Sequence, residues 1–411
     1  MRSSLLRPSD RELIVLPAFA STVLPKRGME LVDLRSLGIL PGIGGGSRGF
    51  NTEGDVITQT ADGRDLNAMW QEFQATIQLQ NAERDRIVQF LTFPVTQLIE
   101  DVSQVVGDDF EEASEFGEPK SIRAVGSYFS MAYDFRWFDL AARYTWKFLA
   151  EATATQVEAI NNAALEAHSR LVFARVMKTI FNPTNLNADI NGQNYNVYKF
   201  YNADGVVPPT YRGNTFAGTH THYYTTGAAT VDPGDLEDLI DKLGEHGYTI
   251  QNGYRIVIMV NKQEGKPIRL FRAGVGGATW DFLVARGEQP VIMPTDTILL
   301  NGAQPANSLD GLHVIGSYAD ALIVEDDYVP AGYMLAFATG GPEALTNPVG
   351  FREHANPALR GLRLVKGPNP NYPLVDSFYN VGFGTGIRQR GGGAVVQVTT
   401  SGTYTTPTLY Q

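Results

Sequence analysis

Two histidines one residue apart, in Thr219-His220-Thr221-His222, carry the sharpest chemical signal in this 411-residue chain. In an extended segment, side chains two positions apart point to the same side. Both imidazoles could then reach one zinc or copper ion. A metal site needs a third donor, and the flanking sequence offers none, so the pair reads as polar loop histidines. Glu325-Asp326-Asp327 and Asp108-Asp109-Phe110-Glu111-Glu112 are carboxylate clusters that could hold calcium or act as an acid/base pair. Neither has the ligand spacing of a calcium loop, so both read as solvated turns or as acidic partners for arginines on a neighbouring subunit. Gly44-Gly45-Gly46-Ser47-Arg48-Gly49 matches G-x-G-x-x-G. A dinucleotide site needs a strand before that motif and a helix after it. Phe50–Gly54 is not helical in pattern, so the glycines read as a hinge. There is no G-x-S-x-G, H-E-x-x-H or Walker A pattern. Cysteine is absent, which removes disulfides, thiolate metal sites and thiol nucleophiles together. No catalytic, cofactor-binding or metal-ligating residue is expected, and no enzymatic activity.

Composition points the same way. Hydrophobic residues make up 43% and charged residues 19%, so the chain can bury a core. Low charge with 42 glycines suggests much surface that meets protein rather than water. The net charge of −11 argues against a general nucleic-acid binder, which needs a surplus of Lys and Arg to neutralise phosphates. No apolar run is long enough to span a membrane. Leu13–Phe19, interrupted by Pro17, is too short for a secretory signal core.

The elements that must position any site follow from periodicity. Residues 1–65 are punctuated by Pro8, Pro17, Pro25 and Pro41 and read as an extended arm. Leu66, Trp70, Phe73, Ile77 and Leu79 predict an amphipathic helix within Asp65–Phe90, and Phe93–Ile99 suggests a strand. Phe110–Tyr144 is dense in aromatic residues around a Phe116–Lys120 turn, and predicts a hairpin lying on another surface. Thr145–Phe181, free of Gly and Pro, predicts one helix of about 50 Å at 1.5 Å per residue. Asp232-Pro233-Gly234-Asp235 opens a second helix, with Leu236, Leu239, Ile240 and Leu243 on its buried stripe and Gly247 at its end. Strands are expected at Tyr254–Val260, Val291–Leu300, Leu312–Ile315, Ala321–Val324, Tyr333–Phe337 and Leu362–Val365. Phe378–Thr399 reads as two long strands or one kinked strand, then a polar tail. The fold class is α+β.

This order of arm, helix, aromatic hairpin, long helix, capped helix with mixed sheet, and a Gly-rich then Val-rich end is itself a pattern. Tyr144-Thr145-Trp146-Lys147-Phe148-Leu149-Ala150, Phe110–Gly117 and Gly382–Val398 carry it most clearly. In it the chain resembles the Hong Kong 97-type major capsid proteins of tailed bacteriophages, over roughly residues 66 to 400. The resemblance implies an N-terminal arm at 1–65, a peripheral-domain helix and strand at 66–109, and an extended loop at 110–144. It further implies a peripheral domain with a spine helix at 145–231, an axial domain at 232–365, and peripheral return strands and tail at 366–411. It implies self-assembly as hexamers and pentamers into an icosahedral phage head around double-stranded DNA, without sequence-specific contact and with no membrane. A separate scaffolding protein, a portal and a decoration protein would be the other partners. The virion, assembled in the host cytoplasm, would be the location.

The residues expected at contacts between subunits are Phe116, Lys120, Tyr128, Phe129 and Trp137. Some members of the family join subunits by a Lys–Asn isopeptide bond with a glutamate as base. Lys120 and Asn380 are of the matching types. No third residue suggests itself, and Lys120 reads as a solvated tip or a salt bridge. An encapsulin-type compartment, with a related fold around cargo enzymes, is the alternative. A carbohydrate-active enzyme, suggested by the aromatics, is the reading from a different class. A bound cargo peptide or turnover on a glycan would distinguish them.

Overall fold

Thr153 and Asp62 decide where the longest helix begins. The Thr153 amide donates to Gln156 Oε1 at 3.0 Å, and the Ala154 amide donates to the Asp62 carboxylate at 3.1 Å, so two orphan donors of the first turn are satisfied. The amide of Ala61 takes the Ala152 carbonyl at 2.9 Å. Ala152 and Thr153 are therefore extended (ψ 143° and 161°), and the single helix expected over Thr145–Phe181 is two. The computed structural model describes residues 57–82, 86–103, 128–286, 305–309, 311–367 and 376–411, with 112, 115, 117 and 374. Most of the arm, the Gly44–Gly49 hinge, the acidic residues 108–111, the Val291–Leu300 strand, Phe116 and Lys120 lie outside the described residues.

Six helices are described: α1 Leu66–Ala82, α2 Arg86–Leu91, α3 Trp146–Glu151, α4 Ala154–Phe181, α5 Pro233–Gly244 and α6 Lys262–Ile268. The strands run β1 Thr92–Val95, β2 Ile99–Ser103, β3 Tyr128–Ala132, β4 Arg136–Arg143, β5 Leu186–Ile190, β6 Gln193–Val197, β7 Tyr223–Thr225, β8 Arg255–Val260 and β9 Leu283–Val284. They continue as β10 Ser308–Leu309, β11 Leu312–Tyr318, β12 Ala321–Glu325, β13 Tyr333–Thr339, β14 Val349–Glu353, β15 Arg363–Lys366, β16 Asp376–Ile387 and β17 Gly393–Gln397.

These strands make three sheets. One has the order β1-β14-β16-β15, with β4 also on β16; the largest runs β10-β11-β12-β8-β13-β17-β7, with β9 on β11; the third is β2-β3-β6-β5. Met69, Phe73, Val157, Val172, Val176 and Ile180 of α1 and α4 share a core with Phe351, Tyr379, Val381 and Phe383 of the first sheet. Leu236, Leu239 and Leu243 of α5 pack on Ile256, Ile258, Met334, Ala336 and Val396 of the largest sheet. The α5 start has the predicted chemistry: Asp232 accepts from the Asp235 amide, Asp235 accepts from the Asp232 amide, and Pro233 occupies the first turn.

Two differences from the sequence reading concern connectivity. The described strands of Phe110–Tyr144 do not pair with each other: β3 pairs antiparallel with β2, while β4 pairs with β16 over eight residues. The two terminal strands also part company. β16 joins β4, β14 and β15, whereas β17 joins β13 and β7 in the largest sheet. Sheet membership thus does not follow the expected boundaries at 231 and 365.

The glycines of Gly382-Phe383-Gly384-Thr385-Gly386 explain how the chain crosses between sheets. A Cβ at Gly382 would lie 2.5 Å from the Trp137 ring, one at Gly384 2.9 Å from the Phe135 backbone, and one at Gly386 3.0 Å from the Tyr133 ring. Three alternate glycines clear one face of β16 for the 133–137 segment, and Phe383, Thr385 and Ile387 stay buried on the other.

Candidate functional site

A sheet face carrying Trp137 presents apolar surface to the outside. Along β16 the odd positions Ser377, Tyr379 and Val381 are buried, while Asp376, Phe378 and Asn380 are half-buried. The strand register places Trp137 opposite Gly382, Asp139 opposite Asn380, and Arg363 and Val365 opposite Asn380 and Phe378. Trp137 is 43% exposed and Val365 40%. Trp137 packs edge-on against Phe135 at 5.4 Å and lies 5.9 Å from the His354 ring, with the Arg363 guanidinium 5.7 Å from its centroid. Arg363 donates to Asn380 Oδ1 at 2.5 Å, and the Asn380 amide donates to Asp139. The result is a ring-and-guanidinium platform braced by hydrogen bonds, a composition suited to protein contact. A second exposed apolar group follows α6: Leu270 (75%), Val275 and Trp280.

Of the residues expected at contacts, Trp137 is on this platform. Phe129 is half-buried against the Tyr198 ring at 5.1 Å, within the smallest sheet. Tyr128 falls in β3. Phe116 and Lys120 are outside the described residues.

The histidine pair departs from its expected setting. The segment is extended: the His222 amide donates to the Tyr201 carbonyl at 2.7 Å, and the His222 carbonyl accepts from the Val395 amide at 2.8 Å. Both rings therefore face one side, as the spacing required. A third imidazole meets them from beyond α5. His246 Nε2 is 3.0 Å from the Nε2 of both His220 and His222, and those two are 3.0 Å from each other. The reading of loop histidines with no third partner is thus corrected. His222 is fully buried, and His246 was missed because 24 residues and a helix separate it from the pair. A histidine just past a helix C-terminus was the available signal. Burial lowers all three pKa values, that of His246 to about 3, with the neighbouring imidazoles or Lys242 adding to the effect. His222 Nδ1 donates to the Gly393 carbonyl at 2.6 Å, which leaves its Nε2 as the lone-pair nitrogen.

No family model matches the sequence, and no curated protein does. Among solved structures, a chain from Mycobacterium phage Patience is 45% identical, covers 90% of this chain and 98% of its own, and superposes with a TM-score of 0.69. The chain belongs to the Hong Kong 97-type major capsid proteins of tailed phages. A chain of the bacteriophage PhiM1 mature capsid is also similar, at 11% identity, 77% and 88% coverage and a TM-score of 0.43. So is the holo-SrpI encapsulin of Synechococcus elongatus, at 14%, 80% and 97% coverage and 0.42.

This major capsid protein is a structural component of an icosahedral phage shell. Two of its other chemical candidates, Glu325-Asp326 and Asn380, are among the described residues and have partners within the chain. Glu325 pairs with Arg269 of the same chain at 2.9 Å, and Asp326 accepts from the Tyr328 amide at 2.8 Å. Glu325 ends β12 and Asp326 leads into the turn that follows it. Asn380 of the capsid protein is occupied by Arg363 and Asp139, as above.

Proposed function

We propose that copies of this capsid protein assemble as hexamers and pentamers into the head that encloses packaged double-stranded DNA, with no catalytic step and no sequence-specific DNA contact. The relationship to the Mycobacterium phage Patience chain, over nearly all of that chain, carries the reading. The exposed Trp137 platform supports Trp137 as a subunit contact, beside Phe129, Tyr128, Phe116 and Lys120. In this reading α1, α4 and the β4-β16 sheet serve the periphery of each capsomer. The α5 layer, with Leu270 and Trp280, faces the symmetry axis. A separate scaffolding protein, a portal and a decoration protein complete the head in the host cytoplasm.

Negative-stain microscopy of the purified full chain tests this. Hollow polyhedra or flat hexamer sheets are expected, and particles from infected cells should hold nuclease-protected DNA. Discrete small globules at every concentration would overturn the reading, as would particles holding a cargo peptide and no DNA. An aromatic anchor at an interface is worth more than about 1 kcal/mol, so Trp137→Ala should raise the concentration needed for assembly at least about fivefold. Subunit circular dichroism should stay unchanged.

A further inference from the structure

We infer that His220, His222 and His246 bind one first-row transition-metal ion, Zn²⁺ in the first instance, which staples the end of α5 to the segment leading into β7. The geometry is the argument. All three Nε2 atoms are 3.0 Å apart. An imidazole nitrogen either carries a proton and donates or bears a lone pair and accepts. Hydrogen bonding needs one of each in every pair. Three atoms with two states cannot differ in all three pairs, so at least one of these contacts joins like partners. Hydrogen bonds among the imidazoles alone therefore cannot hold the triangle, whereas a cation shared by three lone pairs can.

The dimensions suit an ion. A metal about 2.05 Å from each nitrogen would sit roughly 1.1 Å out of their plane, with N–metal–N angles of about 94°. That lies between facial octahedral and tetrahedral arrangements, which Zn²⁺, Co²⁺ and Ni²⁺ all accept. The supporting shell is present as well. The hydrogen bond from His222 Nδ1 to Gly393 fixes the tautomer that leaves Nε2 free to ligate, the usual outer-shell device of metal-binding histidines. The His246 ring is stacked by Phe216 at 4.4 Å and by Tyr201 at 5.5 Å. A Cβ at Gly391 would come within 2.8 Å of His246 Cγ, so a glycine there admits the ring.

A cleft of about 500 Å³ lined by Phe216, His220, Lys242 and Glu245 gives an ion a route in and leaves the remaining coordination positions to water. The chain has no cysteine and so no disulfide. A metal joining residues 24 positions apart supplies the kind of cross-link it otherwise lacks.

The test uses the full chain, stripped with a chelator and dialysed against Zn²⁺ or Co²⁺. One equivalent of metal per chain by mass spectrometry is expected, with a visible Co²⁺ absorption band and a zinc-dependent rise in melting temperature. His246→Asn and His220→Asn should each weaken binding by at least on the order of 100-fold and abolish the Co²⁺ band, with circular dichroism unchanged. If one variant fails to fold, the other decides. Wild-type protein that stays metal-free after dialysis would overturn the proposal. So would a folded variant that keeps wild-type affinity.

Discussion

Arg390 has the largest fully buried side chain among the described residues, and replacing it with methionine probes how much one charge contributes to the junction of the sheets. Its Nε donates to the Lys199 carbonyl at 2.9 Å, and its Nη2 donates to Asp204 Oδ2 at 2.7 Å and Asn202 Oδ1 at 3.2 Å. The guanidinium lies 4.7 and 4.6 Å from the Tyr198 and Tyr201 ring centroids. Removing one partner of a buried ion pair costs about 3–5 kcal/mol, because the other charge stays buried. Asp204 is less stranded than that limit assumes: it is 16% exposed and keeps donors from Asn185 at 2.7 Å and Val206 at 3.2 Å. Against this, two cation–π contacts of about 0.5–2 kcal/mol each are lost, and the Lys199 carbonyl loses its donor. Methionine conserves most of the volume, so the cavity term is small. The balance is about 3 kcal/mol, roughly a 150-fold fall in the folded-to-unfolded ratio. Guanidinium titration of the unassembled chain, followed by tryptophan fluorescence, measures it through the midpoint at constant slope. Arg390→Lys, which keeps charge but not the fork, should fall between parent and methionine. A methionine variant within about 1 kcal/mol of the parent would refute the reasoning and show that Asp204 is solvated well enough to stand alone.

Two other perturbations read the fold directly. Gly384→Val drives its side chain into the Phe135 backbone, 2.9 Å from the Cβ position, and should cost about 3 kcal/mol because backbone cannot swing aside. A melting temperature unchanged by this substitution would mean that β4 crosses elsewhere. Burial raises the Asp235 pKa from 3.8 to about 6. The folded chain then binds the proton more tightly than the unfolded one, so this group's contribution is fully present below pH 3.8 and is lost as pH rises through 6. Asp235→Asn should accordingly gain stability relative to the parent between pH 5 and pH 8; a constant difference across that range would contradict the burial.

Much of the local structure was legible. Asp232, Pro233 and Asp235 announced α5, the Leu66–Ile77 spacing announced α1, and β8, β11, β12 and β13 lie where β-branched and aromatic runs placed them. The break before α4 was not legible, because its cause is Asp62, 92 residues away. The pairing of β4 with β16 was equally hidden: the aromatic run suggested a strand without naming a partner.

The candidate sites divide along the same line. Alternation put His220 and His222 on one side of the chain, and Trp137 among aromatics that a single chain covers only in part. Only folding carried His246 to within 3.0 Å of the pair, and only folding set Gly382, Gly384 and Gly386 beneath Tyr133, Phe135 and Trp137. Periodicity and capping act over one or two turns of chain, so sequence determines them alone. The meeting of distant segments depends on which apolar faces bury one another, and that is settled only when the whole core closes.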